Sequence, residues 1–254
     1  MDVWLEQGLL FLLAFISNTL SSLAGGGSGL LQLPVLLFLG LAFPIALATH
    51  KIASVALGIG ATMRHLRTEA LNWRFALFIL AFGLPGVAIG TQIILQVPEH
   101  LARLALGILT LGLGFYSWRR PQLGQVVIHH QHDLKSYAIG GLVITFIGVI
   151  NGSLTSGSGL FVTLWLVRWF GLDYTRAVVY TLILVGLFWN GSGAFLLALQ
   201  APVRWDWLPA LFIGSLVGGY YGAHLAHRHG NLLVKRAFES LTMLVGLKLI
   251  WDAL

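Results

Sequence analysis

The 254-residue chain is 57% hydrophobic and only 9% charged, whereas a soluble domain carries about 25% charged residues. Its mean hydropathy of +0.85 and its recurring apolar segments, each near the ~20 residues that cross a bilayer, predict an all-α polytopic membrane protein. The net charge of +6 is therefore interpreted as loop charge and not as a nucleic-acid surface. The lack of cysteine excludes disulfides, thiolate catalysis and cysteine-ligated metals.

The first half of the chain is predicted to form five helical pieces. Residues 1–6 are acidic, and a cleavable signal peptide begins with a basic region, so residues 7–24 are interpreted as a retained first helix. The second piece follows the sequence Gly25-Gly26-Gly27-Ser28-Gly29 and is too short to cross the membrane alone. We expect it to form a discontinuous or re-entrant hairpin with the first piece. The five pieces span roughly 5–24, 28–40, 44–66, 73–96 and 100–119.

The second half is predicted to repeat this pattern after a polar linker. The linker, residues 121–135, contains His129, His130 and His132 and separates a first repeat (1–120) from a second (136–254). A second glycine break, Thr155-Ser156-Gly157-Ser158-Gly159, again precedes a short piece. The pieces of this half span roughly 136–154, 158–170, 173–199, 206–227 and 231–251.

Self-comparison of the sequence indicates an internal duplication. The Gly-Ser-Gly-Leu sequence at 27–30 recurs at 157–160, an offset of 130. Gly86 and Gly90 match Gly218 and Gly222 at an offset of 132. Since the offset grows by only two residues, small loop insertions explain the difference.

The basic residues predict that the two repeats have inverted orientations. Suppose that the two pieces on either side of a glycine break together cross the membrane an even number of times, and that the other three pieces of each half each cross it. Then 11 of the 15 Lys and Arg residues collect on one side. By the positive-inside rule this side is cytoplasmic, so both termini face the outside of the cell (inner) membrane. The residues predicted on the cytoplasmic side are Arg64, Arg67, Arg74, Arg119, Arg120, Lys135, Arg168, Arg176, Arg228, Lys235 and Arg236.

The paired glycine breaks are the strongest functional signal. Lipid cannot satisfy the backbone amides that a break frees, and breaks in corresponding positions of two halves are typical of a transporter's binding site. Free N–H groups and the positive end of the following helix suit an anion. The alternative is tight helix packing through small residues, which we favour only for the later pairs Gly86/Gly90 and Gly218/Gly222. The candidate binding residues of the breaks are Gly25, Gly26, Gly27, Ser28, Gly29, Thr155, Ser156, Gly157, Ser158 and Gly159.

Lys51 lies within an otherwise apolar helix, and an ionisable residue inside the membrane is a functional hypothesis by default. It would supply a counter-charge for an anion or couple transport to a proton or cation; the alternative is that its side chain reaches the outer interface. Thr49 and His50 beside it, and Asn151 and Asn190 at helical depth, are assigned to the same cavity. For the asparagines, interhelical hydrogen bonding is the alternative. No constellation of serine, histidine and acid indicates an enzyme, and no metal site or cofactor is predicted.

These features together resemble the TauE/SafE family of membrane transporters, also called the sulfite exporter family, over essentially the whole chain. The resemblance is carried by the first glycine break with its downstream Pro34, by Ala48-Thr49-His50-Lys51, and by the glycine pairs that follow in each half. It implies export or uptake of small sulfur-containing or organic anions such as sulfite or sulfonates. The second repeat departs from the pattern, since it lacks a proline after Gly159 and has Leu182 where related chains often carry a lysine.

The sequence therefore predicts an inverted-repeat secondary transporter of a small anion in the lipid bilayer. The substrate would bind near the midplane between the two broken helices, and one repeat would rock against the other to alternate access. A channel-like anion conduit and a non-transporting membrane scaffold are the alternatives.

Overall fold

The computed structural model describes residues 3–26, 28–65, 71–94, 98–125, 127, 133–155 and 157–253. These residues form helices and connecting turns, with no strand among them. The α-helices are α1 (Val3–Ala24), α2 (Ser28–Phe38), α3 (Phe43–His65), α4 (Trp73–Ile93), α5 (Glu99–Trp118), α6 (Leu134–Ser153), α7 (Ser158–Arg168), α8 (Tyr174–Tyr180), α9 (Asn190–Ala198) and α10 (Leu208–Trp251). A π-helical segment, Thr181–Trp189, joins α8 to α9.

The described helices have the lengths and surfaces of a membrane protein. Five segments are long and apolar enough to cross a bilayer: Trp4–Ala24, Phe43–His65, Trp73–Ile93, Leu134–Ser153 and Tyr174–Ala198. Large apolar side chains cover the outside, which fits a surface against lipid rather than water; Leu142 and Phe146 are 66% and 61% exposed. The chain is thus an all-α, multi-pass membrane protein.

Two of the crossing segments form the centre of the molecule. In Phe43–His65 and Tyr174–Ala198, 67% and 61% of the most apolar 18-residue stretch is buried, whereas only 33% of that stretch is buried in Leu134–Ser153. The other crossing segments therefore shield these two from lipid.

Capping side chains and prolines mark the residues at which several helices begin. The Asn72 side chain accepts from two backbone N–H groups at the start of α4, and Asp133 and Asp173 cap α6 and α8 in the same way. Pro98 precedes α5, and Pro209 lies in the first turn of α10. These side chains satisfy amides that a helix start leaves free, and proline lacks the amide altogether.

The predicted helical pieces are confirmed, with end differences of a few residues. The predicted helix 173–199 is not uniform, because its middle is π-helical. The predicted pieces 206–227 and 231–251 run into one another as α10, which bends at Gly230 (φ 73°, ψ −169°). Glycine tolerates this positive φ without steric cost, so it marks the junction.

Close glycine contacts join α4 to α6. A Cβ added to Gly86 or Gly90 would lie 2.1 Å from the carbonyl oxygen of Thr145 or Val149, respectively. Such an approach is possible only without a side chain, which confirms that this pair of glycines serves helix packing.

The matching pair, Gly218 and Gly222, joins α10 to α1 in the same manner. An added Cβ there would lie 2.5 Å from the oxygen of Phe15 or 2.3 Å from that of Thr19. Phe15 and Thr19 precede Thr145 and Val149 by 130 positions, so equivalent positions make equivalent contacts. In both cases a helix of one half packs on a helix of the other half.

The helix ends fall into two groups. At one end, hydrogen bonds join Arg168 to Tyr116, Tyr174 to Gly124 and Asn231 to Gln125. At the other end, Gln7 donates to Asp206 O, and Thr49 Oγ1 accepts from the Arg204 amide. The division of the basic residues between two sides of the membrane, and which side faces the cytoplasm, stay predictions.

Candidate functional site

The two glycine breaks interrupt the helices where the sequence places them. α1 ends at Ala24 and α2 begins at Ser28, while α6 ends at Ser153 and α7 begins at Ser158. Gly25 and Gly26 have φ values of 87° and 105°, and Gly157 has 76°. Thr155 adopts φ 61°. This conformation is energetically unfavourable for a residue that carries a side chain, and such residues cluster at functional sites.

The two breaks meet in space. A Cβ added to Gly26 would lie 2.9 Å from the Cα of Gly159, and one added to Gly159 would lie 2.9 Å from the Cα of Gly26. Beside this crossing, Thr163 Oγ1 donates to Gly25 O (2.7 Å) and lies 2.9 Å from Thr181 Oγ1. The breaks thus form one continuous feature instead of two separate ones.

A small cavity of about 20 Å³ lies at this crossing, with room for about one water molecule. Both breaks contribute to its walls, together with α3 and the π-helical segment. The residues that line it are Ser21, Gly26, Gly29, Leu57, Asn151, Thr155, Ser158, Gly159, Thr181, Leu182, Val185, Gly186 and Asn190.

The π-helical segment provides one wall of the cavity. Its i→i+5 bonding widens each turn, and such π-helical segments are frequently found at functional sites. Thr181, Leu182, Val185 and Gly186 face the cavity from this segment. At Gly186 the segment crosses α3 closely, because a Cβ added to Gly58 would lie 2.5 Å from the Gly186 carbonyl carbon.

Lys51 is fully buried next to this cavity. Its Nζ donates to the backbone oxygen (2.8 Å) and to Oδ1 (3.2 Å) of Asn151. Asn151 lies in the last turn of α6, where carbonyl oxygens lack helical partners, so the ammonium also caps this helix. Within the described part of the chain, Lys51 forms no ion pair. The alternative that its side chain reaches the outer interface is wrong.

Asn151 connects Lys51 to the cavity. Its Nδ2 donates to Ser158 Oγ (2.8 Å) in the second break and to Asn190 Oδ1 (3.2 Å) at the start of α9. Its backbone oxygen also accepts from Thr155 Oγ1 (3.0 Å). A lysine of the first half therefore acts on the site through an amide of the second half.

Ser21 supplies an unsatisfied polar group. Its side chain is buried and lines the cavity, and its Oγ has no hydrogen-bond partner among the described residues. Buried hydroxyls are almost always hydrogen-bonded, so this exception indicates a place for a polar ligand atom or water. Ser21 precedes Asn151 by 130 positions, which makes the two residues equivalent in the duplicated pattern.

Thr49 and His50 do not line this cavity. Thr49 accepts from the Arg204 amide. His50 belongs to a separate buried polar cluster, in which its Nδ1 lies 3.1 Å from Gln32 Oε1 and its Nε2 lies 3.1 Å from Ser54 Oγ. Helical periodicity explains the separation, because adjacent residues point in different directions on a helix.

Of the remaining predicted residues, most reach the cavity. Gly26, Gly29, Asn151, Thr155, Ser158, Gly159 and Asn190 line it. Gly25 and Gly157 belong to the backbone of the breaks without lining the cavity. Gly27 and Ser156 lie outside the described residues, as does the side chain of Ser28. The histidines of the linker, His129, His130 and His132, also lie outside them.

The sequence interpretation missed Ser21, Leu57 and the residues of the π-helical segment. Ser21 is one of several serines near the end of α1, and nothing in the local sequence distinguishes it. Its equivalence to Asn151 at the offset of 130 is the signal that could have indicated it.

Comparison with known proteins identifies the class to which this fold and site belong. A "Probable membrane transporter protein" of Haemophilus influenzae is 27% identical over 255 residues, covering 99% of this chain and 98% of the relative. "Probable membrane transporter protein YfcA" of Escherichia coli K12 is 25% identical, covering 97% of this chain and 90% of the relative. "Probable membrane transporter protein YunE" of Bacillus subtilis is 19% identical over 97% of this chain and 98% of the relative. No solved structure matches the chain significantly.

The family model described as sulfite exporter TauE/SafE matches residues 10–249, which include every residue that lines the cavity. The chain belongs to the TauE/SafE sulfite exporter family of membrane transporters.

Proposed function

We propose that this membrane transporter carries a small anion, such as sulfite or a sulfonate, through the cavity between the two glycine breaks. The observation that carries the proposal is the buried Lys51 ammonium, which reaches the cavity wall without a carboxylate partner among the described residues. A buried charge without an ionic partner is costly. A bound anion would compensate it, and it would do so inside the membrane, where ionisable residues are rare and functional.

The groups around the cavity suit an anion in other respects. α2 and α7 both begin at the breaks, and the first amides of a helix are donors without helical partners. Asn151 Nδ2, Ser158 Oγ and Ser21 Oγ are donors that can turn towards a ligand. Asn151 accepts two bonds from Lys51, so the positive charge polarises the amide whose N–H groups face Ser158 and Asn190.

The cavity volume supports a cycle of closed and open states. About 20 Å³ accommodates one water and is too small for a sulfur oxyanion, so the cavity must widen to admit one. Binding and release require the walls to separate on one side and then on the other, as expected for alternating access.

The packing indicates which parts would move. Bundle A contains α1, α3 and residues 208–229 of α10; Gly60 of α3 lies against Leu216 O, and Gly219 of α10 lies against Leu57 O. Bundle B contains α4 and α6, in which Gly86 and Gly90 lie against Thr145 O and Val149 O. The π-helical segment and α9 pack on both bundles, since Gly58 of α3 lies against Gly186 and Gly83 of α4 lies against the ring of Trp189. Each bundle mixes helices of both repeats, because α1 packs on α10 and α6 packs on α4.

The site lies between these bundles. Lys51 of bundle A donates to Asn151 of bundle B, and beside this contact Gly26 crosses Gly159 and Gly58 crosses Gly186. We therefore place the moving boundary between bundle A and bundle B and not between the first and second repeats. The inverted arrangement of the repeats would give the two bundles the symmetry that alternating access requires.

A binding screen on purified protein tests the proposal. Sulfite, sulfate, methanesulfonate and acetate are added as sodium salts, with sodium chloride at the same ionic strength as the control, and affinity is measured by titration. Lys51→Met keeps the length and apolar stem of the side chain but removes its charge. It should weaken binding of the preferred anion by roughly 2 kcal/mol, the attraction between two unit charges about 8 Å apart at an effective dielectric constant of about 20.

Lys248→Met is the matched control for this screen. Lys248 lies at the end of α10 and pairs with Asp252 at the surface, so its loss should leave the affinity unchanged. Affinity within twofold of wild type in Lys51→Met would remove Lys51 from the anion site. Absence of binding of all four anions to the wild type would contradict the substrate class.

A further inference from the structure

A groove on the outside of the molecule runs between α5, α6 and α7. It has a volume of about 550 Å³, and its walls are almost wholly apolar: Val143, Phe146 and Ile150 from α6, Phe161 and Trp165 from α7. Phe146 is 61% exposed. Since Leu134–Ser153 is a membrane-crossing segment, the groove opens to the hydrocarbon region of the bilayer.

A cationic pocket of about 590 Å³ continues the groove at one end. Arg119, Arg120 and Arg168 line this pocket together with Tyr116, and Tyr116 and Arg168 also line the groove. Arg168 Nε donates to Tyr116 OH (2.7 Å), which holds one guanidinium at the junction. None of the three arginines forms an ion pair with a described residue, and no carboxylate lines the pocket.

We propose that the groove and pocket together bind one anionic phospholipid. The phosphate lies on the guanidinium groups, whose planar donors match a phosphate, and an acyl chain fills the apolar groove. The two parts adjoin in the order that a phospholipid needs, with the charged part at the helix ends and the apolar part along the membrane span. Basic pockets between membrane helices bind anionic headgroups in this way.

The charge and shape favour a lipid over other occupants. A second copy of the chain would have to bring carboxylates to three arginines, and the chain has only nine Asp and Glu residues in total. A free phosphate would use the pocket and leave the groove empty. If the positive-inside prediction for Arg119, Arg120 and Arg168 holds, the lipid comes from the cytoplasmic leaflet, which carries the anionic lipids.

The lipid would contact the outer face of the helices that form the second break. Ile150 lines the groove, and its backbone oxygen accepts the amides of Leu154 and Thr155 at the break. Phe161 and Leu164 place α7 on the same wall. A bound lipid therefore supports α6 and α7 from outside, independently of what the inner cavity binds.

Lipid binding by detergent-purified protein tests this proposal. Phosphatidylglycerol and phosphatidylcholine with identical acyl chains are added, and native mass spectrometry counts the bound lipid while a thermal melt records stability. The triple variant Arg119→Gln, Arg120→Gln, Arg168→Gln should reduce phosphatidylglycerol binding by at least about tenfold, since each basic residue contributes about 1 kcal/mol to the attraction of anionic lipid. A triple variant with lysine at the same positions should restore most of it.

Two matched controls isolate the pocket and the groove. Arg74→Gln, Arg228→Gln, Arg236→Gln removes three exposed arginines outside the pocket and should keep the bound lipid. Val143→Trp fills the groove and should lower lipid binding with the arginines intact, whereas Leu142→Trp, on the open surface, should not.

Several outcomes would overturn the proposal. These are equal binding of the two lipids, undiminished phosphatidylglycerol in the glutamine triple variant, or equal loss in the two triple variants. A dimer that forms through this face, or a thermal shift produced equally by inorganic phosphate, would assign the pocket to a second copy or to a free anion.

Discussion

The hydrogen bonds between Lys51 and Asn151 determine how the positive charge of Lys51 acts on an anion in the cavity. Lys51 Nζ is enclosed, with a Cβ added at Gly193 only 3.0 Å away, so it has little room to move towards a ligand. Asn151, in contrast, lines the cavity. We therefore assign the direct contact with the anion to Asn151, Ser158 and the break amides, and to Lys51 the electrostatic attraction behind them.

Asn151→Asp tests this assignment with almost no change in shape. The new carboxylate can still accept from Lys51 Nζ, and Ser158 and Asn190 can turn to donate to it. The carboxylate would also repel an anion beside it, at a cost on the order of 4 kcal/mol for two charges about 4 Å apart. We expect the protein to fold normally and to lose anion affinity by roughly a thousandfold, measured by titration.

Asn190→Asp is the comparison for that variant. Asn190 lines the same cavity but does not contact Lys51, so an acid there should also repel an anion. Normal affinity in both acidic variants would show that the anion binds elsewhere. Loss of anion affinity in Asn190→Asp alone would show that an anion still binds beside the aspartate introduced at position 151, because Lys51 neutralises it.

At the scale of helices, the crossing of the two breaks is the feature that depends most on glycine. Gly159 lies in the first turn of α7 with no positive φ, so alanine fits its backbone conformation. The added methyl would still press on Gly26 at 2.9 Å. Gly157→Val is a less specific test, because the φ of 76° at Gly157 strains any residue with a side chain.

We expect Gly159→Ala to separate the breaks and to lower transport strongly, with a loss of stability of about 1–3 kcal/mol, as for overpacking. Gly191→Ala is the matched control, since a Cβ there meets only Val55 at 3.9 Å. Transport and melting temperature are measured for both variants in the same preparation. Wild-type transport in Gly159→Ala would mean that the crossing serves packing alone.

The helix positions could be predicted from the sequence because they depend on local properties. Apolar length, capping residues such as Asp133 and the glycine breaks are all visible in one chain. The π-helical segment could not be predicted, since its sequence from Thr181 to Trp189 is apolar throughout and suits an α-helix equally well. The partner of Lys51 could not be predicted either, because Asn151 lies 100 residues away and only tertiary packing brings it near.

At the scale of the whole molecule, alternating access would expose Ser21 to solvent when the bundles separate. The chain has no cysteine, so a single Ser21→Cys variant can be labelled selectively. We expect a membrane-impermeant, negatively charged thiol reagent to react slowly from either side of the membrane, and sulfite to slow the reaction. Ser136→Cys, near the start of α6, should react from one side only. Reaction of Ser21→Cys from one side only would indicate a single fixed entrance.

The orientation in the membrane is a separate prediction. The distribution of basic residues places both termini outside and the linker around Gly124 inside. Reporter fusions after Leu254 and near Gly124 check it through cytoplasmic or external enzyme activity. Cytoplasmic activity of the fusion after Leu254 would contradict the inverted arrangement of the two repeats.

The central claim is that the cavity between the breaks carries a small anion by alternating access. Counterflow of sulfite and of methanesulfonate into proteoliposomes tests it most directly, with wild type, Lys51→Met and Lys248→Met measured together. We expect saturable uptake that the same anion inside the vesicles accelerates, and we expect Lys248→Met to preserve this uptake and Lys51→Met to lose it. Uptake of neither anion above that of empty vesicles, uptake without saturation, or wild-type uptake in Lys51→Met would contradict it.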